Sequence, residues 1–67
     1  MKHLKRIREK AGMPLESLAH LTGIKYSSVA NYESGRQKAP ADRAVVIAQV
    51  LNTTVEALIG KIGKVKK

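Results

Sequence analysis

Apolar residues in this chain recur three and four positions apart, and the runs stop at glycine, proline or asparagine. Leu4, Ile7 and Ala11 share one side of a helix over residues 2–11, which Gly12 ends. Pro14, at a first helical position, opens a second helix over 14–22, and Gly23 closes it. A third helix over 26–33 ends at Ser34-Gly35. Pro40 opens a fourth, to about residue 51, buried through Val46, Ile47, Val50 and Leu51. Asn52 breaks it, and Thr53 or Thr54 caps a last short helix, TVEALI, with Glu56 in its first turn. No segment alternates with the period of a half-buried strand, and none repeats. The pattern predicts an all-α, compact five-helix domain over residues 1–60. The basic stretch 61–67 is expected to be a frayed, flexible tail.

Residues 15–35, LESLAHLTGIKYSSVANYESG, have the layout of a helix-turn-helix, a device that sets its second helix in the DNA major groove. Ala19 is small and lets the two helices cross closely. Gly23 stands where the turn needs positive φ. Val29 faces back toward Leu18 and Ala19, while Leu15, Ile24 and Tyr32 keep the spacing of buried faces.

A wheel of about 100° per residue, started at Lys25, divides the third helix. Val29, Tyr32 and Ser28 fall on the core side. Tyr26, Ser27, Ala30 and Asn31 fall opposite, where base edges would lie. Asn31 has the donor and acceptor for a bidentate bond to adenine. Ser27 can donate or accept, Ala30 can touch a thymine methyl, and Tyr26 can reach a base or line the sugar-phosphate wall. Any surface helix has a polar face. Here the Ala19–Gly23–Val29 framework and the charge of the chain favour DNA.

Phosphates need donors on either side of such a helix. Arg36 and Lys38 in the following loop supply charge, and Gln37 adds a neutral bond. Lys25 stands at the start of the third helix, where backbone N–H groups also favour an anion. Arg8 lies on the inward side of the first helix, with Leu4 and Ile7, and Glu33 lies toward the inner side of the third. An inward charge needs a partner, because burying it alone costs several kcal/mol. Arg8 and Glu33 are therefore expected to pair. The alternative is that Arg8 runs its alkyl stem out to solvent.

Composition sharpens this. At 67 residues the chain has room for one domain with a small core. Without cysteine, no disulfide or zinc–thiolate site can staple it, and helix packing carries the stability. Lack of cysteine also fits a cytoplasmic location, on the nucleoid when DNA is bound. Thirteen Lys and Arg against five Asp and Glu leave a net charge of +8, which attracts polyanions. No stretch approaches the roughly 20 apolar residues of a membrane span, and no apolar core of a signal peptide follows the basic start.

The chain resembles the phage repressor and Cro-type helix-turn-helix domains, the XRE-like group of bacterial and phage transcription regulators. The similarity covers residues 4–59: the LKRIREKAG opening, LAHLTGI, VANYESG, a basic loop before Pro40, and VLNTTVEALIG at the close. It implies a five-helix, lambda-repressor-like fold that binds double-stranded operator DNA, commonly as a dimer on paired half-sites. It also favours the Arg8–Glu33 pair, which recurs in such domains. Three departures stand out. Relatives usually carry Ser or Thr then Gln where this chain has Pro14-Leu15. They often have Ser or Thr in place of Lys25, and Gln or Arg in place of Tyr26 and Ser27. Selectivity therefore leans on Asn31 and on DNA shape.

Other function classes fare worse. His3 and His20 stand apart from any nucleophile or second ligand, so no catalytic residue, metal or cofactor is expected. An antitoxin-like or adaptor module on the same fold needs a further segment for its partner. The eight residues after Ile59 argue against one, and against a small-molecule effector domain within this chain. Nonspecific RNA binding would use stacking aromatics, and only Tyr26 and Tyr32 are present. The last helix turns Leu58 inward and leaves Val55, Ile59 and Ile62 at its edge, where they either form a small two-fold contact or close the core; a weak homodimer, strengthened on DNA, is expected.

Overall fold

The computed structural model of the chain describes residues 1–60; the tail expected over 61–67, with Ile62, lies outside the described residues. Five helices follow one another: α1 (Leu4–Lys10), α2 (Leu15–Thr22), α3 (Tyr26–Ser34), α4 (Ala41–Val50) and α5 (Val55–Ile59). No strand occurs among the described residues. The fold is all-α.

The helix ends follow from residue type. At Gly23 the backbone turns left-handed (φ 71°), a conformation that only glycine adopts without strain. The Ile24 N–H then reaches the Ala19 carbonyl at 3.2 Å, and the Gly23 N–H reaches His20 at 3.3 Å. These paired bonds satisfy the last carbonyls of α2 and swing the chain into α3. Asn52 performs the same turn after α4 at φ 55°. There the Thr53 N–H bonds the Ala48 carbonyl at 2.9 Å. Thr54 caps α5, its hydroxyl accepting from the Ala57 N–H at 3.1 Å.

The two prolines stand one position earlier than expected. Pro14 (ψ 154°) and Pro40 (ψ 155°) are extended N-cap residues rather than first helical residues. Both positions accept proline's φ, so only ψ separates them. Helix α1 is shorter than the apolar spacing predicted. It starts at Leu4, and Ala11 is its exposed C-cap. The chain before it is tied to α5 by the His3 N–H, which donates to the Leu58 carbonyl at 2.8 Å.

Leu4, Leu18, Val29, Ile47 and Leu58 are the largest fully buried side chains, so every helix gives one residue to the centre. Ala19, Ile24, Tyr32, Ala48 and Leu51 complete the core around them. In α4 the buried stripe is Ala44, Ile47, Ala48 and Leu51, while Val46 and Val50 are only half-buried. Both stripes have helical spacing. The alanines win because α4 packs against both α2 and α5, and small side chains admit close helix approach.

The Gly23 turn sets the relation of α2 to α3. A Cβ built at Gly23 meets nothing within 4 Å, so a substitution there feels backbone strain alone. Gly23→Ala is expected to destabilise the domain by about 1–2 kcal/mol, and Gly23→Asn by less. Urea unfolding of the two variants and the parent measures this.

Candidate nucleic-acid interface

Helix α3 shows a dry side and a wet side. Val29 and Tyr32 are buried, and Ser28 beside them is half-buried. On the other side Tyr26 is 52% exposed, Ser27 is exposed, and Ala30 and Asn31 are half-buried. The outward surface thus combines one aromatic ring with short, uncharged groups.

Glu33 is the single acidic residue of α3. Its carboxylate is held by Arg8: the Arg8 Nε donates to Glu33 Oε2, and a second guanidinium nitrogen lies 3.4 Å from Oε1. The remaining guanidinium nitrogen donates to the Met13 carbonyl at 2.8 Å. Arg8 is 8% exposed. The hydrogen bond to Glu33 raises its pKa above the ordinary arginine value, against the opposing effect of burial. One planar fork therefore fastens α1, the turn before α2, and α3. It also leaves α3 without a free negative charge on its approach to a polyanion.

Lys25, Arg36, Gln37 and Lys38 are exposed at the two ends of α3. Lys25 is the N-cap, extended at ψ 139°, and no side chain accepts from the first-turn N–H groups. At the other end Gly35 turns left-handed (φ 86°) and the chain folds back on the helix. The Ser34 hydroxyl donates to the Asn31 carbonyl at 3.2 Å and accepts from the Arg36 N–H at 3.4 Å. The Gln37 N–H donates to the same Asn31 carbonyl at 3.3 Å. The Asn31 side-chain amide in turn donates to Gln37 Oε1 at 3.4 Å. The loop carrying Arg36 and Lys38 is thereby bonded to the helix it follows.

Two participants lay outside the sequence-based expectations. Arg43, exposed in the first turn of α4, donates to the Tyr32 hydroxyl at 2.9 Å and joins the basic groups around the end of α3. Ser34 is the hinge of the post-helix loop. The serine–glycine step marks the helix end, but no pattern links Arg43 to Tyr32.

A profile of the helix-turn-helix family matches residues 4–58, from the first residue of α1 to the buried leucine of α5. The chain belongs to the helix-turn-helix family. It is 32% identical over 57 residues to the uncharacterized HTH-type transcriptional regulator YobD of Bacillus subtilis (strain 168), covering 85% of this chain and 51% of that protein. It is 33% identical over 58 residues to the HTH-type transcriptional regulator AnsR of the same organism, covering 87% of this chain and 50% of AnsR. The chain spans about half the length of these curated relatives. Helices α2 and α3 are the two helices of the helix-turn-helix motif. Among the described residues no helix is long and apolar enough to cross a membrane.

The ion pair can be tested apart from any ligand. Arg8→Ala or Glu33→Ala alone is expected to destabilise the domain by about 3 kcal/mol, because the survivor is left buried and unpaired. Replacing both by apolar residues recovers part of that loss. A double-mutant cycle on denaturant unfolding reads the coupling, and strictly additive effects would show none.

Proposed function

We propose that this chain is the sequence-specific DNA-binding domain of a transcription regulator, which lays α3 in the major groove of an operator duplex. One observation carries the reading. The exposed face of α3 is free of charge, its one carboxylate is engaged by Arg8, and cations flank it on both sides. A charge-neutral reading face between positive supports matches the division of labour on DNA, where phosphate contacts position and base contacts specify. Family membership supports it further, as does the similarity to YobD and AnsR, both named as HTH-type transcriptional regulators.

In this reading Tyr26, Ser27, Ala30 and Asn31 face the bases, with Asn31 bonding an adenine. Lys25, Arg36, Lys38 and Arg43 hold phosphates, and Gln37 adds an uncharged donor. The role is binding, with no catalytic residue, cofactor or metal assigned, and the place of action is the cytoplasm, on the nucleoid. Two copies occupy half-sites about one duplex turn apart. Val55, half-buried, and Ile59, 37% exposed, line a groove of about 530 Å³ with Met1, Ala39, Ala41 and Ala44, bordered by Lys2 and Lys38, and its apolar part is where a weak two-fold contact that DNA strengthens would form.

Four phosphate contacts per copy give a fall of log affinity with log salt of slope about −4. Asn31→Ala is expected to cost about 1–3 kcal/mol on the preferred duplex and little on random DNA, while Arg36→Ala and Lys38→Ala weaken both alike. Selection from a random duplex pool, followed by anisotropy titrations over a salt series, measures all of these. A slope near zero, or equal effects of Asn31→Ala on both DNAs, would sink the reading.

Lys25 separates binding from scaffold. A serine at an N-cap accepts from free N–H groups and is worth about 1 kcal/mol, whereas a cation opposes the positive helix end. A phosphate at that end reverses the sign. Lys25→Ser is therefore expected to raise the unfolding midpoint of the free protein and to weaken DNA binding at low salt. A less stable variant, or one that binds as tightly as the parent, would remove Lys25 from the phosphate set.

A further inference from the structure

The post-helix loop is built around a single residue of α3. We propose that Gln37 is a positioning residue for Asn31: its side-chain oxygen holds the Asn31 carboxamide in one orientation, so that a donor and an acceptor meet an adenine edge in fixed order. This deepens the DNA-binding reading above and rests on it.

Two contacts at different groups join the residues. The Gln37 N–H donates to the Asn31 carbonyl at 3.3 Å, which fixes where residue 37 sits over the helix. Gln37 Oε1 then accepts from Asn31 Nδ2 at 3.4 Å. Ser34 strengthens the arrangement, since its hydroxyl bonds the same Asn31 carbonyl and also receives the Arg36 N–H. The loop therefore returns to residue 31 three times.

The bond inventory of the amides leaves what a base requires. A carboxamide has two N–H donors and an oxygen with two lone pairs. One Asn31 N–H goes to Gln37. The other N–H and the Asn31 oxygen stay free, one donor beside one acceptor, as the N7 and N6 edge of adenine demands. An unrestrained carboxamide can turn over by about 180° and present the pair in either order. A pinned one presents a single order, and discrimination gains because less orientation must be lost on binding. Gln37 keeps its own NH₂ group free for a phosphate oxygen, so one side chain links the DNA backbone to the base reader. A glutamine serving a phosphate alone would have no need of Asn31.

The parent, Asn31→Ala, Gln37→Ala and the double variant are titrated against a selected duplex, the same duplex changed one base pair at a time, and random duplex. Asn31→Ala is expected to lower discrimination at one A·T pair about tenfold or more. Gln37→Ala should weaken every duplex alike by the loss of its phosphate bond and, beyond that uniform loss, lower discrimination at that same pair about three- to tenfold, with discrimination in the double variant no lower than in Asn31→Ala alone. Gln37→Glu retains an acceptor for Asn31, so it should keep the discrimination while weakening every duplex alike through its charge. If Gln37→Ala weakens selected and random DNA equally, or its effect on discrimination adds fully to that of Asn31→Ala, the positioning role is overturned and base reading by Asn31 still stands. If Asn31→Ala changes no position, base reading fails and the positioning role falls with it.

Discussion

The Arg8 guanidinium is the constraint that the rest of this small domain depends on. It is nearly buried, and a buried arginine is tolerated only when its donors are matched. Glu33 takes two of its nitrogens and the Met13 carbonyl a third. The two partners lie in different parts of the chain, so α1 is placed against α3 and the turn before α2 is held to both. Apolar packing through Leu4, Leu18, Val29, Ile47 and Leu58 supplies the driving force but little direction. The fork supplies direction, because its planar geometry is satisfied in one arrangement of the three segments. The same contact removes the only negative charge of α3 from circulation. Architecture and electrostatics of the recognition helix thus come from one interaction.

The helix that results is short and held at its far end by unusually local means. Ser34, Gly35, Arg36 and Gln37 fold back onto Asn31. Arg43 reaches across from α4 to the Tyr32 hydroxyl. A short helix keeps few bonds of its own, and such secondary contacts lower the freedom of both the helix end and the basic loop. Arg36 and Lys38 are carried on a loop whose backbone is tied to α3, which would lower the entropy lost on binding in the proposed role of these residues as phosphate contacts.

Much of the architecture was legible because its breaks have a chemistry of their own. Gly23, Gly35 and Asn52 each occupy the left-handed region, and their residue types announce it. The prolines announced a helix start but not the position, since ψ leaves no trace in residue type. The core of α4 was misread toward Val46 and Val50 because hydropathy ranks valine over alanine. Close packing on two neighbours instead favours Ala44 and Ala48. An inward charge such as Arg8 is visible on a wheel, whereas the Met13 carbonyl that shares it is not, since every residue has a carbonyl. The contacts of Gln37 and Arg43 depend on the path of a loop, which no periodicity encodes.

The helix starts differ in how their free N–H groups are met. Thr54 caps α5 with its hydroxyl, yet the N-cap residues of α1, α2, α3 and α4, His3, Pro14, Lys25 and Pro40, make no side-chain cap bond, and at α4 the Asp42 carboxylate accepts from the Arg43 N–H instead. A cap is worth about 1 kcal/mol, a large share of what so small a core can offer. At α3 the missing acceptor is replaced by a cation of the wrong sign for the helix end. Selection for stability alone would place serine or threonine there. In the proposed binding mode an anion supplied from outside would resolve the conflict, because it would satisfy the N–H groups and Lys25 together. On that proposal the free domain carries a local defect that DNA would repair, and part of the binding energy would come from relieving it.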